Sequence, residues 1–191
     1  MRKHRLLKIM IKKVQDRIQS KEILSLDISS FSKLTSTEQV NTLNILNKIL
    51  LTAPLIKVYK PILAPNGDGF HIIFKQKFQA FNIALYIKQN EYIINKVIPN
   101  FNGVRISVHK GEYFYFENIL GNKGYMGDGI RETEKLTTMK ELFFKESILV
   151  NVKCINKKYS EFDFKQSGTV HQVELNENNN IQTDIINIWN S

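Results

Sequence analysis

Residues 24–32 read Leu-Ser-Leu-Asp-Ile-Ser-Ser-Phe-Ser, and residues 64–74 read Ala-Pro-Asn-Gly-Asp-Gly-Phe-His-Ile-Ile-Phe. Each stretch places one carboxylate, Asp27 or Asp68, beside an apolar run. The first predicts a buried strand that ends at Asp27 and opens into small hydroxyl residues. The second predicts a β-hairpin, because Asn-Gly lies between the β-type run Val58–Leu63 and a second apolar run. Two such hard oxygen ligands suit Mg²⁺ or Mn²⁺ ions that carry phosphates.

Each aspartate also has a simpler interpretation. An Asp that follows a strand is commonly a cap or Asx-turn residue, and Asn-Gly-Asp-Gly alone is commonly only a turn. The backbone after Asp27 leads into helix-forming sequence, so its N–H groups are predicted to face an anion. The two carboxylates indicate a metal and phosphate site when they are taken together with motifs further along the chain.

The composition is that of one globular domain. The chain has 191 residues, of which 42% are hydrophobic and 24% are charged, so it can bury a core of ordinary size. No apolar run is long enough to span a membrane, and residues 1–22 lack the apolar region of a secretory signal. The single cysteine, Cys154, excludes a disulfide framework and a Cys-based zinc site. These features predict a cytoplasmic protein.

The positive charge indicates a polyanionic partner. The net charge is +9 and the isoelectric point is about 9.5, which fits a nucleoside triphosphate, a nucleic acid or only a solvated surface. The basic residues lack the aromatic interleaving of a base-stacking platform, which favours the triphosphate over nucleic acid. Residues 1–22 are predicted to form a basic amphipathic helix that packs on its own domain or on a second subunit, rather than on acidic lipid.

Residues 23–191 are predicted to form the catalytic domain. Thr35-Ser36-Thr37-Glu38 is a capping-box start for a helix that ends near Leu51. The further predictions are a helix from Gln76 to about Val97, strands Val104–Val108 and Tyr113–Ile119, a helix from Gly129 to Leu142, and a strand-rich segment over residues 148–175. Hairpins in this order favour an α+β fold with a mostly antiparallel sheet flanked by helices.

Four short motifs follow one another along the chain. They are Asp27-Ile28-Ser29-Ser30-Phe31, Gly67-Asp68-Gly69-Phe70, residues 104–112 (V-R-I-S-V-H-K-G-E) and residues 126–136 (M-G-D-G-I-R-E-T-E-K-L). In this order they resemble the motifs D-I-x-x-F, G-D-G-F, R-I-G-I-H-x-G-E and I-G-D-x-V-N-x-A-x-R-L of class III nucleotidyl cyclases, the catalytic domains of adenylate and guanylate cyclases. The resemblance runs from about Ile23 to about Leu175, and the ordered set is more specific than any one motif.

The resemblance implies a ferredoxin-like, palm-type fold and a cyclase that uses two divalent cations, Mn²⁺ or Mg²⁺. Asp27 and Asp68 would bridge both ions, and the carbonyl oxygen of Ile28 would be a further ligand. The backbone N–H groups of Ser29, Ser30 and Phe31 would cradle the β- and γ-phosphates. The family builds its active sites between two domains that face head to tail, so a homodimer with shared sites is implied.

The complementary half of the site departs from the family pattern. Arg131 stands where the family has the Asn that orients the ribose, and Lys135 stands where it has the transition-state Arg. Lys135 lacks the planar fork of Arg, so Arg131 is an alternative contact for the α-phosphate. Lys165 falls where the family carries a triphosphate-binding Lys. Each of the three side chains also fits an ordinary solvated surface.

The residues expected to read the base also differ. Ala64 lies four positions before Asp68, where purine cyclases carry Lys or Glu, and Asn122 takes the place of its polar partner. A Pro before the turn and Tyr59 upstream on the same hairpin strand resemble the pyrimidine cyclases of bacterial Pycsar antiphage systems, in which a crowded pocket admits uracil or cytosine. Tyr59 equally fits a packed strand aromatic.

The resemblance implies that the chain would be a metal-dependent nucleotidyl cyclase that converts UTP, favoured over CTP, to the 3′,5′-cyclic monophosphate and pyrophosphate. The product would be a second messenger for a separate effector protein in antiphage defence. The alternatives are a purine cyclase and a catalytically silent cyclase-fold domain that binds a nucleotide as a sensor. No nucleic-acid partner and no transmembrane segment are expected.

Overall fold

The computed structural model describes residues 19–75, 79–117, 123–138, 147–151, 170–175 and 181–187. The strands are β1 (Gln19–Ile28), β2 (Ile62–Asn66), β3 (Gly69–Phe74), β4 (Val104–Glu117), β5 (Lys123–Met126), β6 (Ser147–Asn151), β7 (Val170–Leu175) and β8 (Ile181–Asn187). They form one sheet in the order β2-β3-β1-β4-β6-β8-β7, and β5 pairs with β4. Every pairing is antiparallel except that of β4 with β6.

The helices flank this sheet. They are α1 (Ser36–Thr52), α2 (Pro54–Tyr59), α3 (Ala80–Asn90), α4 (Tyr92–Val97) and α5 (Asp128–Thr138), and Phe31–Lys33 forms one 3-10 turn. The predicted capping box is confirmed, because the Glu38 N–H donates to Thr35 Oγ1 and the Thr35 N–H donates to the Glu38 carboxylate. No helix of the described ranges is long and apolar enough to cross a membrane.

Two cores lie on the two faces of the sheet. Leu24 and Leu26 of β1 belong to the larger core, which they share with buried residues of α1, α3 and α4. Ile23 packs instead with Ile73 of β3 and Ile130 of α5 in the smaller core. Because successive strand side chains point to opposite faces, α5 covers the face opposite to α1, α3 and α4. The predicted α+β fold with a mostly antiparallel sheet is confirmed.

The helix predicted for residues 1–22 is wrong at its C-terminal end. Residues 19–22 are extended, since β1 begins at Gln19 and pairs with the long β4 as far as Tyr113. The buried Glu22 carboxylate accepts hydrogen bonds from the N–H groups of Gln79 and Ala80, where α3 begins. Residues 1–18 lie outside the described residues.

The strand predicted before the hairpin exists, but it begins later than expected. Pro54 occupies the first turn of α2, a position that suits its fixed φ, and this helix continues to Tyr59. Strand β2 begins only at Ile62, so Tyr59 does not lie on the hairpin. The hairpin itself is confirmed, with Gly67 and Asp68 as the turn between the paired residues Asn66 and Gly69.

Three other boundaries differ from the predictions. The two strands expected on either side of Lys110-Gly111-Glu112 are one continuous strand, β4. The single helix expected from Gln76 to Val97 is two helices that meet at Glu91, and residues 76–78 lie outside the described residues. The C-terminal strand β8, which the sequence did not predict, lies between β6 and β7.

Candidate active site

Asp27 lies near the C-terminal end of β1, between two neighbouring strands. In the register of the sheet it faces Gly69 of β3 on one side and Arg105 of β4 on the other. Its carboxylate is 22% exposed, so it is neither fully buried nor freely solvated. The site therefore begins with one acid held on rigid strands at the edge of the core.

The hairpin turn brings Asp68 to the same place. Gly67 adopts a φ of 55°, a left-handed conformation that glycine takes without strain. The Ile28 N–H donates to the Asp68 carbonyl oxygen at 3.3 Å, which ties the turn to the end of β1. A Cβ atom on Gly69 would lie 1.8 Å from the Leu26 carbonyl oxygen, so only glycine permits this approach of β3 to β1.

The two carboxylates interact directly. Burial raises the pKa of the Asp27 carboxyl above its ordinary value, and the Asp68 carboxylate adds to the rise through its charge and a hydrogen bond between the side chains. The Arg105 guanidinium opposes this rise. Two neighbouring carboxylates that disfavour each other's ionised form are the arrangement that a divalent cation stabilises.

Arg105 is the residue at this site that the sequence reasoning missed. Its Nε donates to Asp27 Oδ2 at 2.8 Å, and its terminal NH2 group contacts the same oxygen. The side chain is only 15% exposed. The signal was present in the Val-Arg-Ile-Ser-Val strand motif, but the register of β4 against β1 is needed to place Arg105 opposite Asp27.

The donor set fits hard cations such as Mg²⁺ or Mn²⁺, which take oxygen ligands from one or two carboxylates and from their substrate. Asp27 and Asp68 supply the carboxylates, and the Ile28 backbone adjoins both of them. In the described part of the chain, no cluster of three or more His, Cys, Asp or Glu side chains forms a cage for a metal. A substrate-assisted site therefore suits this chain better than a closed structural metal site.

The loop after Asp27 differs in part from the predicted phosphate cradle. The Ser29 N–H donates to the Gly103 carbonyl oxygen at 3.0 Å, so it does not face an anion as expected. Ser30 then adopts a φ of 59°, and the chain enters the 3-10 turn at Phe31. Ser30 and Phe31 are half-buried beside the site, so a phosphate cradle would begin at Ser30 rather than at Ser29.

The two expected cations lie together on α5. Arg131 and Lys135 are 62% and 48% exposed and are one helical turn apart. Arg131 pairs with Asp128 at 3.1 Å and with Glu132 at 3.5 Å, and Lys135 pairs with Glu132 at 3.2 Å. Among the described residues, no hydrogen bond or ion pair links these cations to Asp27 or Asp68.

The remaining predicted site residues are dispersed. Tyr59 is half-buried at the end of α2, and the half-buried Ala64 lies on β2 opposite His71 of β3. Asn122 and Lys165 lie outside the described residues. The structure thus brings together the metal half of the predicted site, and separately the Arg131–Lys135 pair.

Comparison with solved structures assigns the fold, which is that of the class III nucleotidyl cyclase catalytic domains. The guanylyl cyclase Cya2 matches with a TM-score of 0.65 and 15% identity, over 90% of this chain and 92% of its own. An adenylate/guanylate cyclase/hydrolase from Silicibacter pomeroyi gives 0.60 and 18%, over 88% and 95%. The guanylate cyclase domain of RhGC from Catenaria anguillulae, in complex with GTP, gives 0.58 and 15%, over 89% and 97%.

Neither protein-family models nor curated protein sequences gave a match to the chain. At the identities of the solved structures the likeness shows the fold alone. The activity has to be argued from the residues of the site.

Proposed function

We propose that this protein is a metal-dependent nucleotidyl cyclase. In this reaction the ribose 3′ hydroxyl of a nucleoside triphosphate attacks the α-phosphorus, a new O–P bond forms, and pyrophosphate leaves. The observation that carries the proposal is the placement of Asp68 beside Asp27 at the end of β1, fixed by the pairing of Asp27 with Gly69 and by the hydrogen bond from the Ile28 N–H to the Asp68 carbonyl oxygen. Two acids placed this close, within a cyclase fold, are well suited to bind the cations of a triphosphate.

The chain's own residues would hold and orient the triphosphate. Asp27, Asp68 and the carbonyl oxygen of Ile28 would bind two Mn²⁺ or Mg²⁺ ions, and the backbone from Ser30 to Phe31 would face the phosphates. When bound, the ions would lower the pKa of the 3′ hydroxyl and neutralise the departing pyrophosphate. Gly69 would keep the two acids at the separation that this requires.

The second half of each site would come from a partner copy. Arg131 and Lys135 are exposed on α5 and are not bonded to the Asp27–Asp68 pair within the described chain. In a two-fold dimer each chain would supply its acids to one site and its cations to the other. Tyr59, Ala64, Asn122 and Lys165 would lie on that second half, around the base and the triphosphate.

The proposed base is a pyrimidine, with UTP favoured over CTP. The support is the small apolar side chain of Ala64, which offers no polar group to a purine edge. The product would act in the cytoplasm on a separate effector, as in the Pycsar antiphage systems that the sequence resembles. A purine substrate is the alternative, since one structural neighbour was solved with GTP and another with ATPαS.

A second candidate function has its own observation. Both cations of α5 are neutralised by acids of the same helix, Asp128 and Glu132. A helix of this kind contributes less positive charge to a transition state than free Arg and Lys side chains would. A nucleotide-binding sensor that does not turn over its ligand would be compatible with this arrangement.

The experiment is a product analysis. The purified protein is incubated with Mn²⁺ and each of ATP, GTP, CTP and UTP, and the products are separated and identified by mass. We expect a cyclic pyrimidine monophosphate, with turnover reduced at least about 100-fold in Asp27→Asn and in Asp68→Asn, because metal ligands supply several kcal/mol of stabilisation. Glu112→Gln is the charge-matched control, since Glu112 is exposed and pairs with Ser20 near the other end of β1.

The outcomes separate the candidates. Faster formation of cyclic AMP or cyclic GMP would replace the pyrimidine proposal and leave the cyclase proposal intact. Nucleotide binding without any product would favour the sensor. Full turnover in both aspartate variants would refute the metal site.

A further inference from the structure

Glu134 reaches from α5 to both strands of the hairpin that carries Asp68. Its Oε1 lies 2.9 Å from His71 Nε2 on β3 and accepts a second hydrogen bond from Asn66 Nδ2 on β2 at 3.3 Å. The His71 side chain is only 7% exposed, whereas that of Glu134 is 44% exposed. A single carboxylate oxygen thus connects three elements of the fold.

The position of these contacts matters for the Asp68 turn. Asn66 is the last residue of β2 and immediately precedes Gly67 and Asp68. In the described part of the sheet, strand β2 is at the edge and has only β3 as its neighbour. Among the described residues no other strand pairs with β2 on its outer side, and the bond from Glu134 restrains the end of the hairpin where Asp68 lies.

The helix that Glu134 belongs to is itself fixed. A Cβ atom on Gly129 would lie 2.6 Å from the Gly111 carbonyl carbon, so α5 begins in close backbone contact with β4. Thr133 is buried and its carbonyl oxygen accepts a hydrogen bond from Ser107 Oγ of β4. Glu134 therefore ties the edge hairpin to a helix that is packed against the centre of the sheet.

We propose that Glu134 is a positioning residue for the metal site: through His71 and Asn66 it holds the Asp68 turn at the distance from Asp27 that a divalent cation requires. The inference rests on the proposed function, because it concerns the same acids. Mutation of a group that orients a metal ligand without touching the metal commonly lowers metal affinity by about 10- to 100-fold. The same link joins the half of the chain that binds metal to the helix that carries Arg131 and Lys135.

Direct Mn²⁺ binding without nucleotide tests this inference, measured from the free Mn²⁺ signal in electron paramagnetic resonance. We expect Glu134→Ala to weaken Mn²⁺ binding by about tenfold or more. Glu134→Gln keeps an oxygen acceptor at the same place and should bind within about threefold of wild type. Thr138→Ala is the control on α5, since the Thr138 hydroxyl donates to the Lys135 carbonyl oxygen within the same helix.

A second variant keeps the test decisive if Glu134→Ala folds poorly. Asn66 is exposed, so Asn66→Ala removes one of the two bonds without disturbing a core, and it should weaken Mn²⁺ binding by about threefold at an unchanged melting temperature. With cyclase turnover as a second readout, we expect the KM for Mn²⁺ to rise more than kcat falls.

The possible results have distinct meanings. Wild-type affinity in both Glu134→Ala and Asn66→Ala overturns the inference and leaves the metal site standing. A lower melting temperature with unchanged Mn²⁺ affinity also overturns it, because the contact would then be only structural. Failure of the wild-type protein both to bind Mn²⁺ alone and to show Mn²⁺-dependent turnover overturns the proposed metal site, and the positioning role with it. If the wild type needs the nucleotide to bind Mn²⁺, an unchanged KM for Mn²⁺ in Glu134→Ala overturns the positioning role.

Discussion

Gly69→Ala is the substitution that tests most directly how the two acids are held together. Gly69 pairs with Asp27 and follows Asp68 in the chain, so its backbone adjoins both aspartates. The added Cβ would lie 1.8 Å from the Leu26 carbonyl oxygen and 3.1 Å from the Asp27 Cα. Both atoms belong to the backbone of a central strand and cannot rotate away.

The size of the effect follows from that contact. Real Cβ atoms essentially never approach other heavy atoms within 3.0 Å, so the strands must separate by about 1.2 Å at this point. Because Asp68 precedes Gly69, this displacement changes the separation of the two carboxylates by a similar amount. A misplacement of about 1 Å in a reacting constellation costs about 100-fold in rate. Overpacking of a strand contact costs about 1–3 kcal/mol of folding stability.

Gly67→Ala is the matched control. Gly67 lies in the same turn, and a Cβ atom there would meet nothing within 4 Å. Its positive φ makes alanine less favourable by about 1–2 kcal/mol, but no strand has to move. The two variants should therefore lose similar stability and differ in turnover.

The assay compares initial rates of nucleotide cyclisation with Mn²⁺, well below the melting temperature of both variants. We expect Gly69→Ala to be about 100-fold slower than wild type, and Gly67→Ala to stay within about threefold, because it keeps the strand separation. Equal rates for the two variants would refute the argument that the close approach of β3 to β1 sets the separation of the acids.

Three further predictions concern the rest of the site. Arg105→Gln should raise the pKa of Asp27 further, because the guanidinium lowers it. Since turnover needs ionised Asp27, the loss of activity on acidification should begin at a higher pH than in wild type, which a pH–rate profile would show. Asp68→Asn and Arg131→Ala chains, each weak alone, should regain activity when mixed, and no recovery in proven heterodimers would mean that each site lies within one chain. UTP or CTP should be used faster than ATP or GTP, and Tyr59→Ala should increase purine use only modestly, because added space supplies no hydrogen bonds to the purine edge.

The parts of the fold that the sequence predicted correctly depend on local signals. The capping box at Thr35 and the turn at Gly67 and Asp68 are set by neighbouring residues, and both were found. The run Val58–Leu63 was predicted to be a strand, but its first two residues end helix α2. A short apolar segment has no periodicity that distinguishes a strand from a helix. The stronger signal was Pro54, which occupies the first turn of α2.

The parts that failed depend on contacts between distant segments. Gly111 was predicted to separate two strands, but it lies within the continuous strand β4, where the close approach of Gly129 of α5 leaves no room for a side chain. The Asp27–Arg105 and His71–Glu134 contacts join residues on different elements. One sequence contains no measure of strand register, so these partners could not be assigned before the structure.

Asp27 shows how the requirements of the site differ from those of the fold. Glu38 is an acid that serves the fold, since hydrogen bonds from Thr35 lower its pKa. Burial raises the pKa of Asp27, so its protonated form adds stability at low pH that is lost as the pH rises through the folded pKa. Above its folded pKa the chain holds Asp27 ionised, next to Asp68, against a free-energy penalty from its own surroundings. A cation between the two acids would remove that penalty, so metal binding and folding stability are expected to rise together. Cation binding therefore explains why two carboxylates lie together at this place, whereas the stability of the chain alone does not.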